Sequence, residues 1–396
     1  MKVNQIYSLL NDINAQMFGA DAIDVNDLSG IISMGKSIVG DGTQTDIFLG
    51  KLVDRIGKTV IRTLDLELEF PTLFMDSFEF GAILEKITVN PFESIESSEY
   101  EIGTQNFEPT FANVMKNQNI IVKFFTDSTT WKFQTTIPDD LFSTAFTSES
   151  MMSQFIEAIV KAMTDSMTIA IDNMSRTAVN NFIAEKIKAN NGVINLLAGY
   201  NTMVGVGNTI TVTQAMHNKE FARYASQEIR KYVKYLAKPS VLYNVGDGNG
   251  GEVVRVTSRD NCHILMLTDL VSLFDAYLLS DSFKDLYNLP YYVEVAYWQG
   301  NKGESTINDF ATNSSIKVTP SSEYGKDNPT DVEQSGVVCV LADRQAIATG
   351  LNKRRAGSFY NSIDAYTNLS STAMIQYIND LSENGIIFTV AESSNP

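Results

Sequence analysis

The stretch Ser148–Ala189, SESMMSQFIEAIVKAMTDSMTIAIDNMSRTAVNNFIAEKIKA, decides the fold. Phe155, Ile159, Met163, Met167, Ala170, Met174, Ala178, Phe182 and Ile187 recur every three to five residues along it. That is the period of one apolar helix face. No Gly or Pro interrupts the run, and Gly192 closes it. A continuous helix of this span would be roughly 60 Å long, which invites a bend or break in a small domain. Methionines 151, 152, 163, 167 and 174 read as adaptable core packing rather than a cofactor box.

Before this helix, residues 3–18 place Ile6, Leu9, Leu10, Ile13 and Met17 at helical spacing. A stretch containing Gly40, Asp41 and Gly42 follows. A terminal segment of this kind lies either on its own body or on a neighbouring chain. Residues 46–69 are mixed, with Val60–Leu68 reading as a strand or a helix end before Pro71. Residues 83–137 are β-rich: Ile83–Val89 alternates, and Asn119–Phe125 and Thr130–Ile137 follow a polar run at Glu93–Glu101. They read as one long hairpin with a charged tip. A hairpin cannot bury both faces by itself, so it packs on its own domain or reaches another subunit.

After the long helix, a turn-rich stretch runs to Val212, and a second helix spans 217–237 ahead of Pro239. A short strand is expected at Val241–Val245, then the loop GDGNGG at Gly246–Gly251. A strand at His263–Leu267 leads into a helix at Asp269–Leu279, and strands follow at Tyr292–Trp298 and Ser315–Thr319. Strand Gly336–Ala342 is expected to enter a helix at Asp343–Asn352. Met374, Ile375, Ile378 and Leu381 suggest another helix over 372–381, before a final strand at Gly385–Ala391. Strands and helices intersperse without a regular βαβ repeat, so the class is α+β.

Bulk numbers narrow the function. With 44% hydrophobic residues the 396-residue chain is globular rather than disordered. A net charge of −17 argues against a nucleic-acid grip, which needs a basic face to displace counterions. Cys262 and Cys339 make no disulfide framework, which suits synthesis in a reducing cytosol. The start MKVNQIYSLLNDINAQMF lacks a signal-peptide core, and no run reaches the roughly 18 apolar residues of a membrane span.

Catalytic chemistry is scarce. His217 and His263 are the two histidines. His263 adjoins Cys262, but neighbours on a strand point to opposite faces, and a Cys–His pair must face each other. An enzyme reading would rest on His217, His263 and Cys262. With so few such residues a closed zinc site is not expected. Asp247 and Asn249 resemble the start of a calcium loop, but Ser258 stands where its glutamate belongs. Neither a P-loop nor a G-x-S-x-G elbow occurs. No catalytic, cofactor-binding or metal-binding residue is therefore assigned. Lys353, Arg354 and Arg355 form the one basic cluster, read as a solvated helix end or as a dock for a neighbour's carboxylates.

Four stretches carry a family likeness: FEFGAILEKITVNPFES at 78–94, the long helix, VVCVLADRQAIATGLNKRRAGSFYN at 337–361 and NDLSENGIIFTV at 379–390. They resemble the Hong Kong 97-type major capsid protein of tailed bacteriophages. The resemblance implies an N-terminal arm at 1–60 and an extended β-hairpin loop at 86–137. It implies a peripheral domain at 61–85 and 138–195 around a spine helix, closed by the strand at 385–396, with an axial domain at 196–384. It further implies a non-enzymatic subunit that forms pentamers and hexamers in an icosahedral or prolate head around double-stranded DNA. Partners would be a portal and scaffolding or decoration proteins, with no membrane, and assembly would follow synthesis in the host bacterial cytoplasm. An acidic lining that does not stick to packed DNA fits the charge, and Gly246–Gly251 could serve as a shell-pore loop. No scaffold-like N-terminal coiled segment is visible. An encapsulin-type bacterial nanocompartment, built on the same fold, is the alternative.

Overall fold

A computed structural model describes residues 3–19, 22–39, 42–60, 68–75, 84–89, 120–125, 128–246, 251–278, 292–299, 309–320 and 331–392. The chain opens with three helices, α1 (Val3–Phe18), α2 (Leu28–Ile38) and α3 (Gly42–Val60). Strands β1 (Phe74–Met75), β2 (Leu84–Val89), β3 (Ile120–Phe125) and β4 (Ser128–Pro138) follow. Next come α4 (Asp139–Ala145) and α5 (Glu149–Lys188), then β5 (Val193–Asn195). Helices α6 (Leu196–Val204), α7 (Val212–Ala215) and α8 (Lys219–Leu236) lead to β6 (Cys262–Leu267) and α9 (Thr268–Leu278). The chain continues through β7 (Tyr292–Val295), α10 (Phe310–Asn313), β8 (Ile316–Val318) and β9 (Val332–Gln334). It ends with β10 (Val337–Asp343), β11 (Ile347–Asn361), β12 (Tyr366–Asn379) and β13 (Gly385–Thr389).

Two compact units emerge: residues 1–81, 127–176 and 349–377 form one, and 82–126, 177–348 and 378–396 the other. Residues 349–377, which the family layout assigns to the axial domain, group here with the N-terminal helices. In the first unit, α1–α4 and the start of α5 enclose Leu10, Ile13, Met34, Phe48, Leu52, Phe142, Met152 and Ile156. Phe48, Phe142, Phe146 and Phe155 meet there in tilted and edge-on pairs, the geometry their ring quadrupoles favour. The segment expected as an arm thus packs on its own body. A four-stranded sheet, in the order β1-β11-β12-β4, lays Ala373 and Ile375 on Met167, Ala170, Ile171 and Met174 of α5.

The second unit is built on a five-stranded sheet in the order β5-β13-β10-β6-β7. β10 is antiparallel to both neighbours, whereas β6–β7 and β13–β5 are parallel. β6, β10 and β13 are buried at every residue, so their sequences are near-continuous apolar runs. On one face Phe221, Ala225 and Ile229 of α8 and Leu270 and Phe274 of α9 meet Ile264, Met266, Cys339, Leu341 and Phe388. Asn218 caps α8 by accepting from the amides of Glu220 and Phe221, which fixes its start.

The long helix is continuous over 40 residues. Every residue of its expected apolar face is buried except Ile187, which is half-buried. Met152, Met163, Met167 and Met174 are core residues, as read; Met151 is exposed. Several expectations are corrected. Residues 42–60 are helical, and α2 and α6 were not anticipated. Val241–Val245 is not a strand; an isolated bridge joins Ser240 to Arg255 instead. The helices expected at 343–352 and 372–381 are strands. In β12, Thr367, Leu369, Ser371, Ala373 and Ile375 are buried in alternation, and the polar members of that face hide the period of two. In β11, Gly350 and β-branched Thr349 disfavour a helix, and the buried Thr349 hydroxyl is hydrogen-bonded to that of Ser175 (2.8 Å).

Gly192 turns the chain from α5 into β5 with φ +69°, and a Cβ there would stand 2.6 Å from the Gly385 carbonyl oxygen. Gly192→Ala is therefore expected to destabilise the unassembled subunit by about 1–3 kcal/mol, read from its denaturant midpoint.

Candidate functional site

Strands β2 and β3 pair antiparallel, with Lys86 opposite Lys123 and Ile87 opposite Val122. This is the root of the expected hairpin; its tip and the GDGNGG residues Asp247 and Asn249 lie outside the described residues. The segment Thr130–Ile137 does not belong to the hairpin. It forms β4, which pairs with β12 from Tyr366↔Pro138 to Gln376↔Ser128.

The two faces of the root are inverted relative to an ordinary surface hairpin. Lys86, Thr88, Lys123 and Phe125 turn toward the subunit and are buried or half-buried. Ile87 (62% exposed), Phe124 (61%), Val89 (53%) and Val122 (43%) turn to solvent. Charge points inward because a carboxylate socket receives it. Asp380, whose side chain is fully buried, offers Oδ2 to Lys86 Nζ at 2.7 Å and Oδ1 to Lys123 Nζ at 3.0 Å. Glu383 Oε1 accepts from Lys86 (2.6 Å) and from Arg255 Nη2 (3.1 Å). Arg255 Nη2 also donates to Thr88 Oγ1 (3.0 Å), and Arg255 Nε donates to the Ser382 carbonyl (3.0 Å).

The socket is the turn between β12 and β13, and the backbone holds it firmly. The Asp380 amide donates to Ala346 O, Val245 N to Leu381 O, Gly385 N to Tyr243 O and Asp343 N to Asn384 O. Ser382 donates its amide and hydroxyl to Asp380 Oδ1. A second buried pair supports it: Thr257 Oγ1 donates to Asp343 Oδ2 at 2.6 Å and accepts from Asn384 Nδ2 at 3.2 Å. Burial raises the cost of charging Asp380, but the adjacent Lys86 and Lys123 ammoniums outweigh it and hold the carboxyl well below the usual range.

The residues considered for catalysis lie elsewhere. His217 sits in the turn between α7 and α8, where its carbonyl accepts from the Tyr277 hydroxyl. Cys262 and His263 open β6, and the Cys262 thiol is directed at the His263 carbonyl at 3.9 Å. Burial pushes the Cys262 thiol up to about 12 and the His263 imidazole down to about 4. Both shifts oppose a thiolate–imidazolium pair. Among the described residues no cluster of metal-ligating side chains occurs. The basic stretch Lys353–Arg355 lies within β11, not at a helix end, because that segment is a strand. Lys186 is buried near the end of α5, donating to Asn191 Oδ1 (2.9 Å) and the Tyr243 carbonyl (2.7 Å); burial lowers its ammonium to about 7.

Sequence reasoning did not single out Lys86, Lys123, Arg255, Asp380 or Glu383. The available signal was one lysine at the same face position of each apolar strand, in LEKITV and IIVKFF.

Comparison with known proteins completes the picture. A family profile described as "Phi29-like phage major capsid protein" matches residues 9–389. The capsid structure of Staphylococcus phage Andhra has a similar fold, with TM-score 0.52 and 14% identity over 79% of this chain and 81% of that one. A structure of head fiber and inner core protein gp22 of native bacteriophage P68 aligns with TM-score 0.50 and 12% identity over 79% and 83%. No curated protein matches the chain. Fold and family together define a shell-forming subunit of a tailed-phage head. The chain belongs to the Phi29-like phage major capsid protein family, which favours the phage shell over the encapsulin alternative.

Two titrations probe the buried charges. Asp380 has a depressed pKa, so its stabilisation is present above the unfolded value of about 3.9 and is lost as pH falls below it. Asp380→Asn should cost roughly 3 kcal/mol at pH 7, and its deficit against the native chain should shrink below pH ~4. For Lys186 the lowered pKa means a burial cost that is full below about pH 7 and relieved as pH rises toward the unfolded value of about 10.4. The native chain should gain stability relative to Lys186→Met between these limits, measured by denaturant unfolding at stepped pH.

Proposed function

We propose that this subunit builds the shell by laying the apolar outer face of its β2–β3 hairpin on a neighbouring copy. The single observation that carries this reading is the inverted hairpin: Ile87, Val89, Val122 and Phe124 face solvent while two lysines face inward. Exposed apolar patches of this kind mark association surfaces. The unit containing the five-stranded sheet would cluster around the five-fold and six-fold positions, with the unit of α1–α4 at the periphery. The assembled head would enclose double-stranded DNA behind an acidic lining that repels phosphate, consistent with the net charge of −17. A portal, and scaffolding or decoration proteins, would complete it, after synthesis in the host cytoplasm.

The role is structural rather than enzymatic. The thiol at Cys262 and the imidazole at His263 are held in their neutral forms by burial, which suits packing and not nucleophilic attack.

Ile87→Asp combined with Phe124→Asp places two charges on the outer face without touching the clamp beneath. The variant is expected to fold as a soluble subunit with native circular dichroism yet form no shells by electron microscopy. Native-sized particles from this variant would overturn the reading.

A further inference from the structure

The hairpin root carries an arrangement that is wrong for a free hairpin and right for a seated one. Lys86 and Lys123 stand directly opposite each other on one face. Like charges in that position repel and weaken the pair. Asp380 reverses the sign of this contact by accepting one lysine on each of its two carboxylate oxygens. Glu383 then ties Lys86 to Arg255, and Arg255 returns to Thr88 on the hairpin itself. The hairpin is therefore held at Lys86 and Lys123, and through Arg255 at Thr88, by a turn whose own backbone is bonded to Ala346, Tyr243 and Val245.

We infer that the Lys86–Asp380–Lys123 clamp is an orienting device: it fixes the angle at which the hairpin leaves its subunit, and through that angle the size of the shell. The inference rests on the intersubunit role of the hairpin proposed above. Tilting the root in either direction separates a lysine from its own carboxylate oxygen and leaves two ammoniums facing each other. A slip of one residue would turn the lysines out and the apolar residues in. An apolar contact is non-directional and tolerates a range of angles, so it cannot itself specify curvature. Two charge-assisted hydrogen bonds to one carboxylate can, because their geometry is directional.

The test uses the full chain with a nitroxide at Glu85→Cys, an exposed position on β2; the native Cys262 and Cys339 are buried and escape labelling. Three clamps are compared in unassembled subunits and in shells: native, Lys86→Met with Lys123→Met, and Lys86→Arg with Lys123→Arg. The methionine pair is expected to give a mobile label in the free subunit and particles at least twofold broader in diameter distribution, or open sheets. The arginine pair should restore both the immobile label and the narrow distribution, which a merely space-filling role would not require. An immobile label in the methionine pair, or native-diameter shells despite a mobile label, would overturn the inference. If the methionine pair does not fold, Lys123→Met alone, which leaves Asp380 its Lys86 partner, carries the same comparison. Failure of the intersubunit reading is separable: it appears as normal assembly of the Ile87→Asp, Phe124→Asp chain, whatever the label reports.

Discussion

One buried carboxylate, that of Asp380, organises the root of the β2–β3 hairpin. It is fully enclosed and shared by Lys86 and Lys123, two side chains that would repel each other without it. Removing one partner from such a group leaves an uncompensated charge in a poorly solvated place, at about 3–5 kcal/mol. Replacing the whole set by apolar residues would cost little or nothing on the same accounting. The charges are thus better understood as specifying where the hairpin sits than as holding the fold together. Because they occupy the inner face, the apolar residues that would ordinarily point inward are presented to solvent.

The remainder of the structure supplies rigid ground for that clamp. The socket turn is bonded on both sides to neighbouring segments and enters β13, an edge-free strand paired to β10 and β5. Beneath it Gly385 allows Phe182 and Lys186 of α5 to close on the strand; an added Cβ would lie 2.4 Å from the Phe182 ring. Burying an Ile or Phe side chain is worth about 1.5–3 kcal/mol, so on the proposed reading a few on one hairpin would make a weak contact between two subunits. In a closed symmetric shell each further contact becomes effectively intramolecular, and weak contacts suffice.

Much of this was legible in the residues. The long helix announced itself because its buried face is apolar at nearly every turn and free of Gly and Pro. The three inner strands of the five-stranded sheet, β6, β10 and β13, were legible as near-continuous apolar runs; the short edge strand β5 was not. β11 and β12 were misread for a specific reason: their buried faces include Thr349, Thr367 and Ser371, polar residues that erase the alternation of apolar and polar positions that marks a strand; of these, Thr349 meets the Ser175 hydroxyl. α2 was hidden in a Gly-containing segment, although Asp27 caps it by accepting from Gly30 N at 2.8 Å. The clamp itself could not be read, since Lys86 and Asp380 are 294 positions apart and only the tertiary fold joins them. Family resemblance supplied the role that no motif could.

The most direct measurement is hydroxyl-radical footprinting, by mass spectrometry, of Ile87, Val122 and Phe124 in free subunits and in assembled particles. Strong protection of all three on assembly, with Trp298 unreactive in both states because it is already fully buried, is the predicted result. Equal reactivity of the hairpin residues before and after assembly would contradict the account.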